Sequence, residues 1–63
     1  MKLSVNGEER QLPEGTTVAD VLEDRTRGVA VAVNLEVVPR STWSDAVLHA
    51  GDRVEILEAH QGG

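Results

Sequence analysis

The sequence has no cysteine, tyrosine or phenylalanine, one tryptophan and two prolines in 63 residues. Without cysteine, no disulfide can staple the fold, no thiolate can hold a metal and no thiol can serve as a nucleophile. Trp43 is the only aromatic side chain, so the core must be aliphatic. His49 and His60 lie far from any ligand set with zinc-site spacing, and no metal site is expected. Cationic residues are also scarce, 6 Lys and Arg against 11 Asp and Glu, for a net charge of -5. That balance disfavours nucleic acid and anionic membranes, which bind by counterion release, and suits a basic docking surface on another protein. No apolar run approaches membrane-spanning length. Met1 is followed at once by Lys2-Leu3-Ser4-Val5, which leaves no room for a signal peptide, so the cytoplasm is the expected compartment.

Catalytic constellations are missing as well. Glu8-Glu9 and Glu23-Asp24 are sequence neighbours, which point apart on a strand or helix, and they read as solvated surface. Ser41 and Ser44 sit in no nucleophile elbow, and the glycines match neither a phosphate loop nor a dinucleotide fingerprint. A domain this small buries only about 60% of its unfolded surface. It offers little volume for a closed pocket of the usual several hundred Å³. An autonomous enzyme is not expected.

What is present is a set of short patterned segments. Leu3 and Val5 alternate with Lys2 and Ser4, and Asn6-Gly7 is the dipeptide favoured where both central turn residues need positive φ. A hairpin is predicted, returning over Glu8 to Leu12. Leu12-Pro13-Glu14-Gly15 has proline second and glycine fourth, as in a type I turn. Thr17 with Asp20 three residues later forms an acidic capping box, followed by Val18, Val21 and Leu22 at helical spacing. Arg25 and Arg27 late and Gly28 just after suit a C-terminus, predicting a helix of about two to three turns.

Val29-Ala30-Val31-Ala32-Val33 puts valines and alanines on opposite faces and predicts a central strand buried on both sides. Asn34 opens the next turn, and Glu36-Val37-Val38 stays extended until Pro39 stops it. Trp43 is expected to lid one end of the core with its indole N–H on a carbonyl or water. Ala46-Val47-Leu48 offers a further short apolar segment. After the Gly51-Asp52 turn, Val54 and Ile56 alternate with Arg53 and Glu55 as a half-exposed strand, with Leu57 starting the exit. The order is hairpin, helix, then more strands, an α+β sheet with a helix across one face.

The chain closes on Gln61-Gly62-Gly63, and glycine contributes little to folding because it loses the most backbone entropy and buries no side chain. A terminus without Cβ atoms is suited instead to threading a narrow channel. Three pieces carry a wider likeness: Val29-Ala30-Val31-Ala32-Val33-Asn34, Val37-Val38-Pro39-Arg40-Ser41-Thr42-Trp43, and Gly51-Asp52-Arg53-Val54-Glu55-Ile56-Leu57 leading into the glycines. In these the sequence resembles the ubiquitin-like β-grasp proteins and, within them, the thiazole-biosynthesis sulfur carriers of the ThiS type, over its whole length. The resemblance implies a mixed four- to five-stranded sheet with one helix packed across one face, a domain over residues 1–58 and a flexible Gly-Gly tail over 59–63. One departure is Asn34-Leu35, where such carriers commonly have Asn-Gly; leucine tolerates positive φ poorly, so this turn is either of another type or strained.

The resemblance further implies a carrier, not an enzyme, whose functional group is the Gly63 carboxylate. An E1-like adenylyltransferase of the ThiF type would adenylate it with ATP and magnesium, and the carrier itself would bind no cofactor. Sulfur originating from a cysteine desulfurase would convert it to a thiocarboxylate. Thiazole synthase of the ThiG type would take that sulfur for thiamin. Gly62, Gln61, His60 and Ala59 would serve in tail recognition, although His60 on its own reads as a solvated residue rather than a proton-transfer group, since histidine chemistry needs fixed geometry. In β-grasp relatives the sheet face away from the helix docks partners, which points to the neighbourhood of Val33, Leu35, Val37 and Leu57. Val33 and Val37 read as core, leaving Leu35, Leu57 and Glu58 as candidate interface residues, while Glu55 and Glu58 would steer the carrier toward basic surfaces. Two other readings stay open: sulfur delivery to molybdopterin, cysteine or tRNA, and a ubiquitin-like modifier joined to lysine through Gly63.

Overall fold

The computed structural model describes residues 1–58. Five strands and one helix follow in the order β1 (Lys2–Val5), β2 (Glu8–Gln11), α1 (Val18–Leu22), β3 (Val29–Val33), β4 (Glu36–Val38) and β5 (Arg53–Glu58), with a single 3-10 turn at Arg40–Thr42. The strands form one mixed sheet in the order β2-β1-β5-β3-β4. β1 runs parallel to β5, and the other neighbours are antiparallel. This is an α+β sheet as the hairpin, helix and strand order predicts, and the β-grasp arrangement that the resemblance implies, with five strands. The core lies between the sheet and α1 and consists of Leu3, Val5, Val18, Leu22, Val31, Leu48, Val54 and Ile56, closed by Trp43.

The first hairpin matches its sequence signal: Val5 pairs with Glu8, and Asn6 and Gly7 between them both take positive φ, 51° and 83°. The capping box also forms, with the Asp20 amide donating to Thr17 Oγ1 and the Thr17 amide donating to the Asp20 carboxylate. Trp43 is 5% exposed and donates its indole N–H to the Val38 carbonyl at 2.9 Å. The core is therefore lidded as expected, and the lid also ties down the edge strand β4.

Several expectations are corrected. The turn after β2 is one residue later than Leu12–Gly15: the Thr16 amide donates to the Pro13 carbonyl, and Gly15 is the third residue of that turn with φ 88°. Glycine at positive φ in that place belongs to a type II rather than a type I turn. The helix spans only Val18–Leu22, ending where Glu23 swings to φ 59°, so Arg25, Arg27 and Gly28 lie beyond it and do not cap it. The reason is the length of the apolar stripe. Val18 and Leu22 are buried, but the next positions on that face are Arg25 and Thr26, and a further turn would bury nothing. No described helix is long and apolar enough to cross a membrane.

Val29–Val33 is not the central strand, nor is it buried on both sides. β5 holds the centre, and α1 covers only one face, so Val31 is buried while Ala30 is exposed. The short apolar segment Ala46–Leu48 makes one isolated bridge, Val47 to Thr17, and Leu48 drops into the core. Leu57 is not the start of an exit, since β5 continues through Glu58, with Leu57 opposite Ala30.

Candidate functional site

Residues 59–63 follow directly from Glu58, so β5 carries whatever the end of the chain does. The expectations placed on Ala59, His60, Gln61, Gly62 and Gly63 lie outside the described residues. What the structure does define is the platform beneath them. β5 is paired on both sides, to β1 through Ser4 with Arg53 and Val5 with Val54, and to β3 over the whole stretch from Val54 with Val33 to Glu58 with Val29.

Two asparagines brace β5, and sequence reasoning read them only as turn formers. β1 stops at Val5, short of Ile56, yet the Ile56 amide is satisfied by Asn6 Oδ1 at 2.8 Å, while the Asn6 amide donates to the Val54 carbonyl. On the other side, Asn34 Oδ1 accepts from the Arg53 amide, its Nδ2 donates to Asp52 at 3.0 Å, and its own amide donates to the Arg53 carbonyl. Asparagine tolerates left-handed backbone and carries an acceptor and a donor, so one residue type can both turn each hairpin and hold the middle strand. The signal was present as an Asn at the same place in both hairpins. Its second role required knowing that β5 lies between them.

The sheet face opposite α1 is partly bare. In register, Leu57 lies beside Ala30, and Val37 beside Ala32. Leu57 is 69% and Val37 75% exposed. Val37 therefore does not fill the core. In an edge strand of period two, Val38 packs half-buried against the core and sends Val37 outward. Val33, by contrast, packs half-buried against the core. Leu35 is 77% exposed at the tip of the β3–β4 hairpin, and Glu58 is exposed at the end of β5.

The β3–β4 turn settles the question raised by Asn34-Leu35. Val33 pairs with Glu36, and both intervening residues have positive φ, 52° at Asn34 and 71° at Leu35. The turn is of the two-residue kind that glycine normally completes, and leucine is strained into it. Left-handed backbone costs an L-residue about 1–2 kcal/mol, and an exposed side chain returns little of that. Leu35→Gly is expected to stabilise the domain by up to about 1 kcal/mol, the loss of strain being partly offset by extra unfolded-state entropy. A higher urea midpoint with an unchanged slope would show it; an unchanged or lower midpoint would mean that Leu35 is not strained.

The described residues hold little else with chemical capacity. An open depression of about 410 Å³ lies between the end of β2 and α1, with Arg10, Leu12, Pro13 and Val21 among its walls, and its carboxylates Glu14, Asp20 and Glu23 are all exposed. Among the described residues, no group of three or more His, Cys, Asp or Glu is placed to hold a metal. His49 is an exposed loop residue 3.9 Å from Asp52.

Comparison with known proteins gives a consistent result. The ThiS family model matches residues 3–63. The chain is 32% identical over 66 aligned positions to the sulfur carrier protein ThiS of Escherichia coli K12, covering 100% of both chains. It is 41% identical to a thiazole synthase of Paramagnetospirillum magneticum, in which it spans only 20% of that protein's length. Among solved structures, the crystal structure of the thiamine biosynthesis protein ThiS from Geobacter metallireducens superposes with a TM-score of 0.83 at 30% identity, over 100% of each chain.

Proposed function

The chain belongs to the ThiS family, and on that premise we propose that it carries sulfur for the thiazole of thiamin as a thiocarboxylate on Gly63. The observation that bears most weight is the family match over residues 3–63, because it runs through the Gly-Gly end as well as the folded part. The folded part has no thiol and no group of described residues suited to a metal, which leaves the terminal carboxylate as the group best suited to carry sulfur.

A terminal carboxylate has a pKa of about 3.3–3.7, so at neutral pH it is an anion and a poor electrophile. Activation is therefore required. In the proposed route an E1-like adenylyltransferase, using ATP and magnesium, directs a Gly63 carboxylate oxygen onto the α-phosphorus of ATP, and pyrophosphate leaves. The terminal sulfur of a persulfide, supplied through a cysteine desulfurase, attacks the acyl carbon, and AMP leaves. A thiol then cleaves the resulting S–S bond, forming a disulfide with the inner sulfur and releasing the thiocarboxylate. The protein is a co-substrate in each step.

Thiazole synthase is the proposed acceptor. Its support is the likeness of this chain to one fifth of a thiazole synthase, a pairing in one polypeptide that would keep carrier and acceptor in contact. For the tail, we propose that Gly62 lets the backbone lie against channel walls where a Cβ would collide, with Gln61, His60 and Ala59 in contact with the same walls. The bare face around Leu35, Val37 and Leu57, with Glu58 at its margin, is the proposed docking surface of the folded part.

Intact-protein mass spectrometry tests the reading. After incubation with the activating enzyme, ATP, magnesium and a sulfur source, the mass is expected to rise by the replacement of one oxygen with one sulfur. Persistence of the unmodified carboxylate would refute it. A strain carrying the Gly63 deletion is expected to need thiamin for growth. Normal growth without thiamin, together with loss of another thiolated product, would assign the carrier to a different pathway. Recovery of Gly63 in adducts with lysine would make it a modifier.

A further inference from the structure

The sheet end at which β5 finishes gathers cations in a chain that has few. Glu58 is paired with Val29 at the start of β3, and the segment Arg25–Gly28 feeds directly into that start. One strand further out, β4 ends at Val38 opposite Val31, and Pro39 and the 3-10 turn from Arg40 follow it toward the same end of the sheet. Arg25 and Arg27, just before β3, and Arg40, just after β4, thus lie toward the end of the sheet at which β5 finishes. All are exposed, and among the described residues none has a carboxylate within ion-pair distance; the pairs that form involve Met1, Lys2 and His49. Carboxylates adjoin the same segments: Glu58 closes β5, and Glu23-Asp24 follow α1 just before Arg25.

Arg40 is also held in place. Its guanidinium lies 5.9 Å from the centroid of the Trp43 ring, and that ring is buried and anchored on the Val38 carbonyl. The turn beneath it is closed by the Thr42 amide and hydroxyl, both donating to the Pro39 carbonyl at 2.9 Å. An exposed cation–π contact contributes at most about 1 kcal/mol to folding. What it supplies is a guanidinium biased toward one rotamer before binding, and a planar fork so biased loses less entropy when it meets a carboxylate.

We propose that Arg27 and Arg40, flanked by Arg25, form a basic rim that docks on carboxylates at the mouth of the activating enzyme's tail-binding channel. The inference rests on the carrier reading above. Distance separates this role from the chemistry. Five extended residues span at most about 17 Å, so with the tail drawn in, the rim meets the channel entrance and not the reacting phosphate. The net charge of -5 argues against a polyanion as the partner, since the rest of the surface would be repelled along its length. A local cluster of protein carboxylates asks for only two or three contacts. The bare apolar face can be occupied at the same time, because Leu57 and Val37 point out from the sheet while the arginines lie at its end.

The test compares two double charge reversals that change net charge equally. R27E/R40E alters the rim, and K2E/R10E alters β1 and β2, away from the strand ends that carry it. With the activating enzyme, ATP and magnesium, R27E/R40E is expected to raise the KM for the carrier about tenfold or more, with kcat unchanged, and to flatten the fall of kcat/KM with salt. K2E/R10E should stay within about twofold of the parent, as changes away from an interface do. R27K/R40K, which keeps charge but loses the fork, is expected to fall between. Urea midpoints of all three confirm that each is folded. Equal KM values for the two reversals would overturn the rim while leaving the carrier reading intact. Failure of the unaltered chain to be adenylated would overturn both.

Discussion

Deletion of Gly63 is expected to reduce thiocarboxylate formation by at least about two orders of magnitude, while leaving the urea midpoint of the domain unchanged. Removing one residue leaves a carboxylate of the same pKa on Gly62, so the chemistry of the group is preserved. Its reach is what changes. One residue of extended chain is about 3.3–3.6 Å, and a misplacement of only 1 Å can cost about 10²-fold when the reacting atoms must meet in a bound geometry. If the domain docks through a fixed platform, the shortened tail cannot make up the difference without giving up its contacts. Addition of one glycine after Gly63 sets the carboxylate too far by the same length and is expected to fail similarly. The readout is single-turnover formation of the adenylate and thiocarboxylate by mass spectrometry at saturating carrier. Activity of the truncated chain within about tenfold of the parent would place the reactive group elsewhere or make the channel tolerant of length, against the two-order loss expected from displacement.

This expectation depends on β5 being a fixed platform, and its bracing is the part of the fold the sequence concealed. Strand positions were legible because alternation of Leu3 with Val5 and of Val54 with Ile56 requires a sheet with one buried face. The capping box and the Asn6-Gly7 turn were legible because each is a local arrangement that needs no knowledge of the rest of the chain. The order of the strands was not local. Val29–Val33 has the composition of a strand covered on both faces, yet a single five-residue helix can cover only one, and the alanines are the small side chains left on the bare side. The position of β5 at the centre follows from its parallel pairing with β1, which joins the two ends of the chain and leaves no mark in either segment.

The candidate site divides in the same way. Leu35 was visible as an exposed residue because a two-residue turn must present its tip. Val37 was misread because its side depends on which of two adjacent valines the pairing of β4 turns toward the core, and that is Val38. The arginine rim had no signal at all in sequence spacing. Arg25 and Arg27 looked like the end of a helix, and Arg40 stood in the Val37-to-Trp43 stretch with no role of its own, until the register of β3 with β4 and β5 set their segments toward one end of the sheet.

Trp43→Ala is expected to remove most of the stability of the domain. At about 0.05–0.15 kcal/mol per residue, a chain of this size has roughly 3–9 kcal/mol to lose. Truncating a buried tryptophan to alanine typically costs about 3–5 kcal/mol through lost apolar burial and the cavity left behind. The loss here has a second part, since the Val38 carbonyl gives up its indole donor at 2.9 Å where β4 ends. Trp43→Phe separates the two contributions. It keeps a ring over the core and a face for Arg40, loses the donor, and is expected to cost about 1–2 kcal/mol. Because Trp43 is the only tryptophan, unfolding must be followed by far-UV circular dichroism in urea and not by fluorescence. Trp43→Ala losing less than about 1 kcal/mol would show that the core closes without its lid, against the usual cost of such a truncation. The two variants also carry a functional contrast. Phe preserves the surface on which the Arg40 guanidinium rests, so at temperatures where both chains are folded it should retain docking that the alanine variant loses.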